Sequence, residues 1–365
     1  MRRLVFVLIV LLAFACNGDG ETPRTATPGP SPDATPTATA TATPTATATA
    51  AQIAYVAADG TIWLANADGS GRVRLNGGCP QARWLAWSPT GDALVCRRFE
   101  PPSVSSAVVI DLSRDQVREI DDVSVVIYGF FPLDVVWSPD GQRLAYWATD
   151  GSLKVTHLAE GTDWVVTPNG SPLAWPFSER LIAALDYHDG QLVPRYEAHW
   201  LNLETGDTTR IPRLDDFAEF WLSPDGRRAV LLAGPGSAEA GGADLLIYDL
   251  QTGEERPILG SVISYPSEFI PRGQLAISAD GTKLYWADAS SGPSAIYQAN
   301  MDGSGLTRLG TVPELFVTLS SDGLVAYAIP GRDGVPATIV VEHLEAGTRT
   351  EVVGEGFPMA WRPTR

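Results

Sequence analysis

The sequence predicts an all-β fold of seven four-stranded antiparallel units closed into a ring, and three observations carry that expectation. One short motif recurs from Ile53 to the end of the chain, its copies are spaced as one small sheet would be, and the last copy has the phase needed to complete the first. Repetition at about 45 residues marks an array of supersecondary units, none of which can bury its apolar face alone.

The motif is an apolar strand ending in Trp, then Ser-Pro-x-Gly, then a second apolar strand. Clear copies are Trp87-Ser88-Pro89-Thr90-Gly91, Trp137-Ser138-Pro139-Asp140-Gly141 and Trp221-Leu222-Ser223-Pro224-Asp225-Gly226. Weaker ones are Ile277-Ser278-Ala279-Asp280-Gly281 and Leu319-Ser320-Ser321-Asp322-Gly323; a degenerate one surrounds Trp175-Pro176, and the last is Trp361-Arg362-Pro363. Pro presets φ at the first central turn position and Asp-Gly supplies a polar, left-handed corner, so the spelling is that of a tight hairpin. An apolar strand follows each turn, from Ala93-Leu94-Val95-Cys96 to Val325-Ala326-Tyr327, and its seventh equivalent is Ile53-Ala54-Tyr55-Val56. A second hairpin turns at Asn66-Ala67-Asp68-Gly69 and at six equivalents as far as Leu344-Glu345-Ala346-Gly347. Alternating strands such as Thr61-Ile62-Trp63-Leu64 lead into it, and short basic ones such as Arg72-Val73-Arg74-Leu75 follow. Four strands in about 45 residues make one blade of a β-propeller.

Phase decides how the array ends. The body begins at the second strand of a unit and stops, at Met359-Ala360-Trp361, with a first strand. A linear array would leave both as bare edges, an aggregation hazard. In a ring, the C-terminal strand completes the blade begun by residues 53–75. Six internal first strands and this shared one predict seven blades; without the unit at Trp175, the ring has six.

Three stretches carry a resemblance: Trp-Ser-Pro-Asp-Gly-Gln-Arg-Leu-Ala-Tyr (137–146), Asn-Ala-Asp-Gly-Ser-Gly-Arg-Val-Arg-Leu (66–75) and Asn-Met-Asp-Gly-Ser-Gly-Leu-Thr-Arg-Leu (300–309). They resemble the repeats of the TolB-like propeller family, over residues 53–365. The resemblance implies the blade rather than any one function. The family's namesake is a periplasmic partner-binding protein with an additional α/β domain; no helical period of useful length is found here, so its particular role is not carried over.

The first residues read as an export signal. Arg2 and Arg3 precede an apolar core from Leu4 to Ala13, too short to span a bilayer. Cys16, in Leu12-Ala13-Phe14-Ala15-Cys16, resembles the acylated Cys of a bacterial lipoprotein signal, although Ala13 stands where that family usually has Leu. The alternative is an ordinary secretory signal ending near Ala15. Residues 1–15 are therefore assigned to the signal and 16–50 to a lipid-anchored stalk. Residues 22–50 are almost wholly Thr, Ala and Pro, which cannot offset their ordering entropy. Extended, the stalk would reach roughly 100 Å. Residues 51–365 form the folded body.

Removing residues 1–15 leaves 24 basic against 43 acidic side chains, a net charge of −19. That balance excludes nucleic acid and electrostatic attachment to anionic lipid, and it favours a soluble monomer. Cys79 and Cys96 are expected to form a disulfide, as two cysteines of an exported domain commonly do; two free thiols are the alternative.

Function is expected in the irregular connections. Turns after the first and third strands are short, whereas connections after the second and fourth vary, and in a four-stranded meander those emerge on one face. The elaborated loops carry Asp121, Asp122, Tyr128, Phe130 and Phe131; Tyr187, His188 and Tyr196; and Asp215, Asp216 and Phe217. Aromatic residues interleaved with acids suit a polypeptide or glycan; plugging the channel mouth is the competing explanation. No cofactor or metal is expected: no catalytic or phosphate-binding motif occurs, and the Asp-Gly pairs lack the spaced acids of a calcium loop. A propeller lyase or glycan hydrolase acting at the central channel is the rival, with Arg83, Asp134 and Glu219 as its candidates.

Overall fold

A computed structural model of the chain describes residues 51–57, 59–79, 85–100, 104–124, 135–187, 195–215, 220–233, 244–258, 275–288, 293–313, 317–329, 338–352 and 357–363. Residues 1–50, with Cys16, lie outside them.

The described strands form seven four-stranded antiparallel sheets. Blade I comprises β1 (Gln52–Val56), β2 (Thr61–Asn66), β3 (Val73–Gly78) and, from the far end of the chain, β28 (Phe357–Trp361). Blade II is β4 (Leu85–Trp87), β5 (Ala93–Glu100), β6 (Val104–Asp111) and β7 (Gln116–Val123). Blade III is β8 (Val135–Trp137), β9 (Arg143–Trp147), β10 (Leu153–His157) and β11 (Thr162–Thr167). Blade IV is β12 (Ser171–Phe177), β13 (Arg180–Tyr187), β14 (Arg195–Asn202) and β15 (Thr208–Arg210), followed by a 3-10 turn at Pro212–Leu214. Blade V is β16 (Phe220–Leu222), β17 (Arg228–Ala233), β18 (Asp244–Asp249) and β19 (Glu255–Pro257). Blade VI is β20 (Leu275–Ile277), β21 (Lys283–Asp288), β22 (Ser294–Asn300) and β23 (Thr307–Val312). Blade VII is β24 (Val317–Leu319), β25 (Leu324–Ile329), β26 (Thr338–His343) and β27 (Thr348–Val352).

Closure occurs as the phase requires. β28 pairs with β1 in antiparallel register, Ile53 opposite Trp361 and Ala54 opposite Ala360, and β28 packs against the inner strands β24 and β4 on either side. The unit around Trp175 is a true blade, so the ring has seven. Its hairpin turns on Ser178-Glu179 instead of Ser-Pro-x-Gly. Its β12–β13 register slips twice, in a strand where Pro172 and Pro176 carry no N–H for the ladder.

The core is divided between the blades. One buried cluster occupies each of the seven interfaces, the one between blades VII and I included. Second strands lie between two neighbours and are buried on both faces. Ile53 and Tyr55 face blade VII while Ala54 and Val56 face blade II, so these strands read as continuous apolar runs. Outer strands are exposed: all of β15 and β19, for example, is open to solvent.

The serine, glycine and tryptophan of the motif each have a contact that explains them. The Ser138 hydroxyl donates to Asp140 Oδ1 at 2.5 Å, and its oxygen accepts the Arg143 N–H at 2.9 Å, closing the turn from inside. Ser223 with Asp225 and Ser278 with Asp280 repeat the arrangement. Gly141 has φ 67°, and a Cβ there would lie 2.8 Å from Thr90 Oγ1 of the preceding blade, so both conformation and space require glycine. The indole N–H groups run around the ring: Trp87 donates to Ala360 O at 3.2 Å, Trp137 to Ala86 O at 3.4 Å and Trp361 to Thr318 O at 3.0 Å. Each acceptor lies on the inner strand of the blade before.

Cys79 and Cys96 are joined by a disulfide, with Cα atoms 6.4 Å apart and both side chains buried. Cys79 follows the outer strand of blade I and Cys96 lies in the second strand of blade II. The bond therefore staples the crossover between two blades.

Candidate binding face

Antiparallel order places the connections after second and fourth strands on one face and the two tight turns of each blade on the other. The longest connections between strands, 124–134, 188–194, 211–219, 234–243, 258–274 and 330–337, all follow a second or fourth strand. Tyr128, Phe130, Phe131, His188, Asp216 and Phe217 lie outside the described residues, as do Arg83, Asp134 and Glu219.

Several expected loop residues are in strands instead. Asp121 and Asp122 end β7, because pairing with β6 continues as far as Val123 opposite Ser105. Tyr187 and Tyr196 belong to the β13–β14 ladder, Tyr187 opposite Arg195 and Tyr196 opposite Asp186. Both tyrosines therefore stand at the mouth of a hairpin, in paired strands.

Asp121 is exposed, but Asp122 is committed to the fold. It accepts hydrogen bonds from Lys154 and from the Thr149 hydroxyl, both of blade III. Lys154 also lies 3.5 Å from Asp150. Partial burial raises the Asp122 pKa, but the bonds from Lys154 and Thr149 outweigh it and hold the carboxyl below its usual value. Beside this clamp, Val123 bridges Ala148, and Ser124 N–H donates to Trp147 O at 2.8 Å. Arg97 donates to Ser124 O at 2.7 Å; burial lowers its guanidinium pKa to about 10. The base of connection 124–134 is thus held from both neighbouring blades.

Asp215 is likewise committed. Its Oδ1 accepts the Ala198 N–H at 2.7 Å, and its Oδ2 receives Arg210 Nη2 at 2.6 Å and Nε at 2.9 Å. Arg210 reaches Glu197 Oε1 at 3.0 Å, and Glu197 Oε2 lies 3.3 Å from His199 Nε2. The clamp ties Asp215, within connection 211–219, to β14 and β15. The predicted acids therefore do not converge: Asp122 serves the junction of blades II and III, and Asp215 serves blade IV. Their partners Lys154 and Arg210, and Glu197 behind Arg210, carry no sequence signal beyond a charged residue in a strand of the repeat.

The opposite face is self-satisfied. Its aspartates are used inside their turns: three donors, from Ser278 and Thr282, hold the Asp280 carboxyl at a pKa of about 2. A cleft of about 640 Å³ opens there between blades V and VI, lined by Asp225, Arg228, Asp280, Met301 and Asp302 among others. Among the described residues no three His, Cys, Asp or Glu side chains are grouped to hold a metal ion, and no helix is long and apolar enough to cross a membrane.

No family model matches the chain, and no curated protein matches its sequence. Solved structures do resemble it. TolB from Acinetobacter baumannii is 18% identical over 72% of this chain, with a TM-score of 0.50; the match spans 64% of that chain. An oligogalacturonate lyase in complex with manganese is 14% identical over 84% of this chain and 86% of its own, with a TM-score of 0.54. The propeller domain of the Trilobed protease from Pyrococcus furiosus, described as having an open velcro topology, is 15% identical over 82% of this chain and 88% of its own, with a TM-score of 0.52. At these identities the likeness establishes the fold, a TolB-like propeller, closed here by β28.

Proposed function

We propose that this chain is an exported propeller, tethered to a membrane by acyl groups on Cys16, whose elaborated face captures a protein or glycan without catalysing a reaction. The observation that supports this reading is asymmetry between the faces. All the long connections follow second or fourth strands, and the segments proposed to bind carry Tyr128, Phe130, Phe131, Tyr187, His188, Tyr196 and Phe217 together with Asp121 and Asp216. The other side is a ring of turns whose polar groups bond to one another. Clamps at Asp122 and Asp215 support the reading further, since a binding loop gains precision from a rigid base.

The test is affinity capture from native membranes, compared with the triple variant Tyr128→Ala/Phe130→Ala/Tyr187→Ala. The variant should keep its unfolding midpoint and lose captured partners; capture equal to wild type would reject this face. Cys16→Ser should move the protein from the membrane fraction to the soluble one, and an unchanged distribution would reject acylation. The rival lyase reading draws support from the fold shared with oligogalacturonate lyase. Unsaturated product formed from oligogalacturonides by the purified chain would favour it.

A further inference from the structure

We propose that the outer edge of blade III, strand β11, binds an extended polypeptide segment with basic flanks as an added fifth strand. The seven blades supply their own comparison. Each outer strand has one ladder unpaired, and an unprotected edge recruits other strands; charged residues on the edge prevent this. Six of the seven outer strands carry an arginine: Arg74 in β3, Arg118 in β7, Arg210 in β15, Arg256 in β19, Arg308 in β23 and Arg349 in β27. β11, Thr162-Asp163-Trp164-Val165-Val166-Thr167, carries none.

Register shows what replaces the arginine. Arg118 lies opposite Val109, and Arg256 opposite Ile247, two residues before the turn of each blade. Trp164 lies opposite Val155 at the same place in blade III. Val165, opposite Lys154, matches Arg210 opposite His199 and Arg308 opposite Tyr297. Trp164 is 38% exposed and Val165 55%. Other exposed apolar residues of outer strands have an arginine close by in sequence, as Val73 has Arg72 and Arg74 and Val117 has Arg118. At β11 the apolar exposure and the missing guard coincide. Residues Thr162 to Val165 are consecutively exposed, enough for a short ladder, and the register slips only beyond them.

Charge selects the occupant. Glu160, Asp163 and Asp150 surround the strand and are exposed. The two cations nearby are engaged: Lys154 by Asp122 and Asp150, and Arg118 by Asp163 at 3.8 Å together with the carbonyls of His157 and Leu158. The chain as a whole carries −17. A second copy would set the same acids against themselves, whereas an extended segment flanked by Lys or Arg meets both the ladder and the charge.

The experiment titrates fluorescently labelled Lys-Lys-Val-Thr-Val-Thr-Val-Lys-Lys with the full chain and follows anisotropy. Saturable binding is expected. Hydrogen exchange should slow at residues 162–165, and Trp164→Arg/Val165→Arg should weaken binding at least tenfold with the unfolding midpoint unchanged or raised. The Val165→Arg single variant provides the same readout should the double variant fail to fold. Equal binding by a peptide with Pro at alternate positions, by the Arg variants, or with protection elsewhere in the ring would overturn the proposal. So would a concentration-dependent dimer that the Arg variants abolish, accompanied by no peptide binding.

Discussion

Two residues show how much of this molecule rests on single polar contacts. Trp361 belongs to the last strand, yet its indole N–H donates to Thr318 O in blade VII, so one bond reports closure of the ring. Trp361→Phe keeps an aromatic ring of smaller volume, removes the donor and takes that bond from the carbonyl of the buried Thr318. A loss of about 1–2 kcal/mol is expected, read from the denaturant midpoint. Asp122 works at the junction of blades II and III. Its folded pKa lies below the ordinary aspartate value of 3.8, so its contribution is complete above that pH and disappears as pH falls through the lower folded value. Asp122→Asn should therefore be less stable than wild type at neutral pH, and the gap should close below pH 3.8. A gap constant across an acid titration would show that Lys154 and Thr149 do not matter.

At the scale of the element, the tight turn is the unit most fully spelled out along the chain. Pro and Gly set its dihedrals, and both were readable because they act within four residues. Serine was read only as part of the motif. Its hydroxyl closes the turn onto a backbone N–H five residues later and binds the aspartate two residues later, contacts that no periodicity displays. The disulfide is a second element-scale device. It closes 17 residues of chain between the end of blade I and the second strand of blade II. Cys79→Ala/Cys96→Ala should lose about 3 kcal/mol in the chain-entropy model. Reductant should then lower the unfolding temperature of wild type but not of the variant.

For the whole molecule, stability depends on an exchange between chain ends. β28 fills the inner position of blade I and supplies Trp361 to the cluster between blades VII and I. Arg362 extends the join, donating from Nε to Gly91 O at 2.8 Å and from Nη1 to Gln52 Oε1 at 2.6 Å, and its guanidinium lies over the Trp87 indole, 5.2 Å from the ring centre. Deleting residues 357–365 would bare β1 along its length. The truncated chain should lose its single cooperative transition and elute partly as aggregate, and the peptide 357–365 added in trans should restore the transition. An unaltered transition would mean that closure contributes little.

The motif by itself determined the blade, because dihedral preference and apolar alternation are local; phase then determined the ring, because only one partner was left for the strand at Ile53. Even the doubtful unit at Trp175 was countable from spacing, although two prolines and a different turn obscured its spelling. Tertiary structure alone decided which acids are spoken for. Asp122 meets Lys154 from 32 residues away across a blade junction, and Asp215 is claimed by Arg210 through a turn that only the folded chain forms. It also decided which outer strand stands unguarded, since Trp164 matches Arg118 and Arg256 only once cross-strand register is known. Local chemistry is written along the chain; which partner a charge finds depends on how distant segments are brought together in space.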